Sequence, residues 1–252
     1  IASQAVLGQP ADGHTVFISA GSYVTITPWT VANVPYDVDK DFKPIAFIAE
    51  IPLFITARAD APYKTVQDLI DAAKKAPNSI RAATTGILSD DHLAILMTEE
   101  AAPGAVFRLV HLEGGAAQFK EIMAGNIDVA FDNVGGIVPR VKSGEIRALA
   151  VTDDVRSKFL PNVPTTLEAG LKNADFDFWV GMMVPRQTPR AIVDRLHATT
   201  LAITQDKAFR DQMAKTGGEV METLTPARFD DFVKAEIERN RAIAKAAGIV
   251  AK

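Results

Sequence analysis

The chain has 252 residues, 48% hydrophobic and 23% charged, which is enough for a sizeable core in one large domain or two ordinary ones. Its 31 acidic and 27 basic residues give a net charge of −4, and no Lys/Arg cluster or aromatic stacking motif accompanies them, which argues against nucleic acid as the partner. The absence of cysteine excludes disulfides, thiolate zinc sites and cysteine nucleophiles. No run of about 18 apolar residues could span a bilayer, and the start, IASQAVLGQP, lacks the basic-then-apolar pattern of a signal peptide.

In chain order, Ala2, Ala5 and Val6 read as the tail of a helix that begins outside the sequence, and Gly8–Gly13 as a turn into a strand over Thr15–Ser19. Small polar residues, Ala20-Gly21-Ser22, follow that strand. Pro28, Pro35 and Pro44 predict an irregular stretch up to Lys43. Ile45–Arg58 is apolar and interrupted by Pro52, which predicts two successive strands or one strand crossing between sheets. From Thr65 the period becomes helical, with Val66, Leu69, Ile70 and Ala73 on one face and Thr65 as the cap.

A series of strand, turn and helix units comes next. Ile80–Thr85 is a strand, Gly86 supplies a turn, and Ser89 or Asp90 caps a helix bearing Leu93, Leu96 and Met97. Phe107–Leu112 is a strand, Glu113-Gly114-Gly115 a turn, and Ala116–Ala124 a helix ending at Gly125. Ile127–Phe131 is a strand with Asp132 and Asn133 at its end, Gly135–Lys142 a helix ended by Gly144, and Ile146–Thr152 a further strand. This alternation predicts a mainly parallel sheet with right-handed crossovers. Pro161–Asn173 reads as loop and a short helix, and Phe176–Val184 as a returning strand with Trp179 and Gly181. Helices over Pro189–Thr204, Ala208–Thr216 and Pro226–Ala247 complete the chain, with a short strand expected within Gly217–Glu222.

No G-x-S-x-G, G-x-x-x-x-G-K-[ST] or G-x-G-x-x-G occurs, and His14, His92, His111 and His197 are not spaced for a metal. What recurs is small-residue turns at strand carboxyl ends: Ser19-Ala20-Gly21-Ser22, Thr84-Thr85-Gly86, Gly114-Gly115 and Asp132-Asn133. In open α/β sheets ligands gather at that edge. The helix after Gly86 offers free N–H groups and a positive dipole end to an anion, although the same pattern fits one βα turn among many. His92, in its first turn, reads as a local hydrogen-bonding partner or a ligand contact, and Asp132 as a cap for the next turn or a ligand contact. Asp90 and Asp91 are expected on the solvated outer face of the helix, since inward they would repel an anion.

Several stretches in the same order resemble the substrate-binding proteins of tripartite tricarboxylate transporters, the Bug or TctC-like receptor family. They are VPYDVDKDFKPIA (Val34–Ala46), LVHLEGGAAQFKEIMAGNIDVAFDN (Leu109–Asn133), IRALAVT (Ile146–Thr152), VPTTLEAG (Val163–Gly170) and the terminal AAGIVAK. The resemblance implies a two-domain α/β periplasmic binding protein of type II-like plan, with mainly parallel sheets flanked by helices and a ligand cleft between the domains. The crossing segments place one domain in 1–49 with 177–252 and the other in 50–176. The implied function is capture of a small mono-, di- or tricarboxylate by cleft closure and its delivery to membrane components of the transporter, by a periplasmic monomer without catalysis, metal, cofactor or nucleic acid.

Carried over by position, the ligand loops fall on Ser19, Ala20, Gly21 and Ser22, on Thr84, Thr85, Gly86 and Ser89, on Gly114, Gly115 and Ala116, and on Asp132, with Trp179 on the returning strand. Backbone N–H groups, hydroxyls and bridging water, rather than a buried arginine, are expected to hold the acid. The sequence departs from the family at Leu112-Glu113, where relatives often carry Tyr and a basic residue, and at ILSDD (Ile87–Asp91). It also has no counterpart of the family's first strand and glycine-rich loop, so a segment is expected to be missing and the strand Thr15–Ser19 to have a vacant side. The alternatives from other classes are a small α/β enzyme such as a hydrolase, marked by a nucleophile beside a base, and the ligand-sensing domain of a transcription regulator.

Overall fold

The computed structural model describes residues 2–31, 33–215, 220 and 224–249. By contacts the chain divides into two compact units, Ile1–Glu50 with Phe178–Lys252, and Ile51–Asp177. No helix among the described residues is long and apolar enough to cross a membrane.

The first unit begins with α1 (Ala2–Leu7) and β1 (Phe17–Ala20), followed by the short helices α2 (Gly21–Thr25), α3 (Thr27–Thr30) and α4 (Val38–Asp41). The prolines were expected to keep helix out of this stretch. Pro28 instead sits in the first turn of α3, where a missing N–H leaves no bond unmade, and no helix here exceeds five residues. Strand β2 (Phe42–Arg58) leads out of this unit and β7 (Asp177–Pro185) leads back; α9 (Arg190–Gln205), α10 (Lys207–Lys215) and α11 (Pro226–Ala246) follow. The short strand expected within Gly217–Glu222 lies outside the described residues apart from Val220.

In this unit β1 pairs antiparallel with β7, Ser19 opposite Gly181, and β7 neighbours β2. Among the described residues β1 has no second partner, and Ile18 on it is 57% exposed. The core holds Phe17, Phe42, Phe47, Trp179, Met183 and Phe229. Phe47 stacks on Trp179 with centroids 6.0 Å apart, and Phe229 meets both rings edge-on at 5.7 and 5.6 Å. Glycine is required at two positions by this packing: a Cβ at Gly21 would lie 2.4 Å from the Trp179 ring, and one at Gly181 would lie 2.3 Å from Phe229.

The second unit contains α5 (Val66–Lys75), β3 (Arg81–Thr84), α6 (Asp90–Ala101), β4 (Arg108–His111), α7 (Gly115–Met123), β5 (Val129–Asn133), α8 (Val134–Ser143) and β6 (Ile146–Val151). Thr65 and Asp68 cap α5 reciprocally, and Gly144 ends α8 at φ 77°. Strand β3 is parallel to β4 and β5, as the alternating pattern predicts, whereas β2 lies between β5 and β6 and is antiparallel to both. Pro52 does not break β2, because the ladder with β5 starts only at Leu53 and no bond there needs the proline's absent N–H. The short helix expected in Pro161–Asn173 is a single turn. Thr165 and Glu168 cap each other, Ala169 N–H closes on Thr165 O at 3.1 Å, and Gly170 at φ 88° ends it. Phe54, Ile122, Ile127, Ile137, Ile146 and Val151 lie in the core of this unit.

Candidate functional site

In the second unit the parallel register brings three strand ends together, with Thr84 opposite His111 and Ala83 opposite Ala130. The turns that follow β3, β4 and β5 therefore share one edge of the sheet. Thr84 is buried, and its hydroxyl lies 2.5 Å from His111 Nδ1. Between β3 and α6 the chain passes through Gly86 at φ 149° and Leu88 at φ 59°, a left-handed conformation that costs a residue with a Cβ energy. Ile87 is 70% exposed while Leu88 is 5% exposed, so the loop alternates one outward and one anchored side chain.

Asp91 corrects the expectation of a solvated outer face. It is buried and accepts hydrogen bonds from Thr85 N–H at 2.8 Å, the Thr85 hydroxyl at 3.1 Å, the Ser89 hydroxyl, His92 N–H at 2.9 Å and Gln118 Nε2 at 2.7 Å. A carboxylate in the first helical turn that folds back on its own loop satisfies these donors and complements the helix dipole. The Thr85 hydroxyl proton is thereby directed to Asp91, and the single Ser89 hydroxyl proton has two acceptors within reach, Asp91 and Gly86 O at 2.7 Å. Asp90, by contrast, is only partly buried.

Gly114, at φ 86°, caps α7, and Asn133 caps α8 by accepting from Gly136 N–H at 3.3 Å. The carboxylate of Asp132 fits against two glycines: a Cβ at Gly115 or at Gly136 would lie 3.5 Å from its oxygens. Its Oδ1 accepts Asn133 N–H at 2.8 Å. Burial raises its pKa above 3.8 and Asp91 adds to that, while the Asn133 N–H and the Arg140 charge oppose it. The guanidinium carbon of Arg140 lies over the Phe119 ring, 3.3 Å from its centroid.

Ala116 lies in the first turn of α7, and the remaining expected residues belong to the first unit. Ser19 is buried and its hydroxyl donates to Ala20 O at 3.1 Å; Ala20 precedes α2, and Gly21 opens that helix. Trp179 is buried in the aromatic cluster with its ring against Gly21, so it underlies the Ser19–Ser22 turn rather than standing open to solvent. Sequence reasoning missed Gln118, which reaches Asp91 from the next βα unit; only the parallel pairing of β3 with β4 brings the two together. Among the described residues no group of three or more His, Asp or Glu is placed to hold a metal ion.

The family model described as tripartite tricarboxylate transporter family receptor matches residues 1–249. The chain is 31% identical over 246 residues to a UPF0065 protein of a Pseudomonas species, covering 95% of this chain and 70% of that one. A UPF0065 protein of Bordetella bronchiseptica is 32% identical over 87% of this chain, which spans 64% of that relative's length. Among solved structures, R. palustris Rpa4515 with adipate superposes with a TM-score of 0.87 at 29% identity, covering 99% of this chain and 83% of that one. The periplasmic binding protein BugD superposes with a TM-score of 0.83 at 28% identity and the same coverage. The chain belongs to the tripartite tricarboxylate transporter receptor family, whose members are solute-binding proteins and not enzymes.

Proposed function

We propose that the chain is a periplasmic receptor that captures a small organic acid and delivers it to the membrane components of a tripartite tricarboxylate-type transporter. The observation that carries this reading is the gathering of three turns and the N-termini of α6, α7 and α8 at the carboxyl edge of β3, β4 and β5, in a chain of this family. Such an edge offers backbone N–H groups and positive dipole ends to a carboxylate. The similarity to a protein solved with adipate supports an organic acid as the ligand class.

In this reading the ligand contacts come from Ser19–Ser22, Thr84–Gly86, Ser89, Gly114–Ala116 and Asp132, with Trp179 as support. Two domains, 1–49 with 177–252 and 50–176, close over the acid because the closed state makes more contacts with it. A thermal-shift screen of mono-, di- and tricarboxylic acids tests this, since a ligand at about 100 times its Kd stabilises by about 2.7 kcal/mol. Ser89→Ala and Thr85→Val are expected to weaken the best binder about tenfold by loosening the hold on Asp91. No stabilisation by any acid, or calorimetric affinities unchanged in both variants, defeats the assignment.

A further inference from the structure

The loop between β3 and α6 has one feature that ligand contact does not account for. Leu88 N–H, in the residue with φ 59°, donates to Nδ1 of His92 at 2.7 Å. His92 is 3% exposed, in the first turn of α6, and its ring meets that of His111 at 5.9 Å and 65°. A ring nitrogen accepts an N–H only when it carries no proton, so the backbone of Leu88 selects the neutral tautomer with hydrogen on Nε2.

We infer that His92 is the positioning residue of this loop: its unprotonated Nδ1 holds Leu88 in the left-handed conformation that sets the path from Thr85 to Ser89. The inference rests on the reading of that loop as part of the ligand site. The groups facing His92 are Asp91 on its own helix and His111 on β4, the latter engaged by Thr84. Burial lowers the His92 pKa below 6.5, His111 lowers it further, and Asp91 opposes both. The hold therefore persists at neutral pH. Acid places a proton on Nδ1, which then faces the Leu88 N–H as a second donor, and the left-handed turn loses its tie. The receptor's grip on its solute is thus coupled to the acidity of its surroundings.

Ligand-free nuclear magnetic resonance of the labelled full chain tests this independently of any bound acid. Histidine ring nitrogen shifts report the tautomer and the protonation of His92, and amide exchange at Leu88, normalised to Ala130 in β5, reports the tie from about pH 8 down through the pH at which those shifts move. Wild type is expected to show the Nε2–H tautomer at the upper end and to lose roughly tenfold or more of its Leu88 protection as His92 becomes protonated. His92→Asn, whose Oδ1 replaces Nδ1 as an acceptor and does not titrate, keeps the protection at both ends, and His92→Leu lacks it at both. An Nδ1–H tautomer, protection that survives His92 protonation, or an Asn variant behaving like the Leu variant overturns the inference. If His92→Leu does not fold, the wild-type pH series and the Asn variant decide it.

Discussion

Arg81 and Asp128 are joined by a two-pronged ion pair, Nε to Oδ2 at 2.9 Å and Nη2 to Oδ1 at 2.8 Å. The same pair exchanges backbone contacts, Arg81 N–H to Asp128 Oδ2 at 2.7 Å and Asp128 N–H to Arg81 O at 2.9 Å, so it fixes the start of β3 against the start of β5. About a third of the Arg81 side chain is exposed, and solvent screening discounts the pair accordingly. Asp128→Ala is expected to cost about 1 to 2 kcal/mol in urea unfolding. A loss near zero would show that the pair is decorative.

The pH dependence of that contribution has a definite sign. Burial raises the pKa of Asp128, but the hydrogen bonds and charge of Arg81 outweigh it and hold the carboxyl below 3.8. A depressed carboxyl stabilises above its unfolded value and loses that contribution as pH falls through its folded value. Glu99 on α6 behaves oppositely. Burial raises its pKa above 4.5 despite the bond it accepts from Phe107 N–H at 2.6 Å. The folded state then loses stability as pH rises from 4.5 through the raised value. Glu99→Gln, whose carbonyl still accepts from Phe107, should gain on wild type over that window; a variant whose advantage shrinks as pH rises refutes the assignment.

Asp91→Ala is expected to destabilise by about 2 to 4 kcal/mol, because it strips the acceptor from the buried Gln118 amide and from four donors in the loop and helix start. Amide exchange should rise first at Thr85 and His92. Uniform exchange throughout the unit would instead mean that Asp91 supports the whole core rather than the loop.

Gly181→Ala is expected to cost about 1 to 3 kcal/mol through overpacking against Phe229, only 2.3 Å from the new Cβ. Adding Phe229→Leu relieves the clash, so the double variant should be more stable than the sum of the two single changes, with a coupling of about 0.5 to 3 kcal/mol. Strict additivity would separate the two positions.

The cap at Thr65, the turn at Gly86 and the end of α8 at Gly144 were legible because each signal lies within a few residues of its effect. The parallel set β3, β4 and β5 followed from the alternation of periods. The antiparallel seat of β2 between β5 and β6 did not, since nothing local encodes which strand will neighbour a long apolar run. Asp91 was misplaced for the same reason: its partners Thr85 and Ser89 are near in sequence, but Gln118 arrives from 27 residues away and makes the inward direction favourable. Helix α3 was hidden by Pro28, which disfavours a helix interior yet suits a first turn.

The aromatic cluster of Phe47, Trp179 and Phe229 has a spectroscopic consequence. The sequence has two tryptophans, Trp29 and Trp179, and both fall within 1–50 and 178–252, leaving 51–177 without one. Tryptophan fluorescence of this chain, excited near the red edge where Tyr63 does not absorb, is therefore a reporter on one unit alone: Trp179, shielded among rings, emits to the blue and shifts red when its cluster opens. Loss of the β3–β5 sheet is dark to that signal and visible to circular dichroism. Comparing the two unfolding curves distinguishes a single cooperative transition from two, and a melting point read from fluorescence alone describes only the unit that holds the tryptophans.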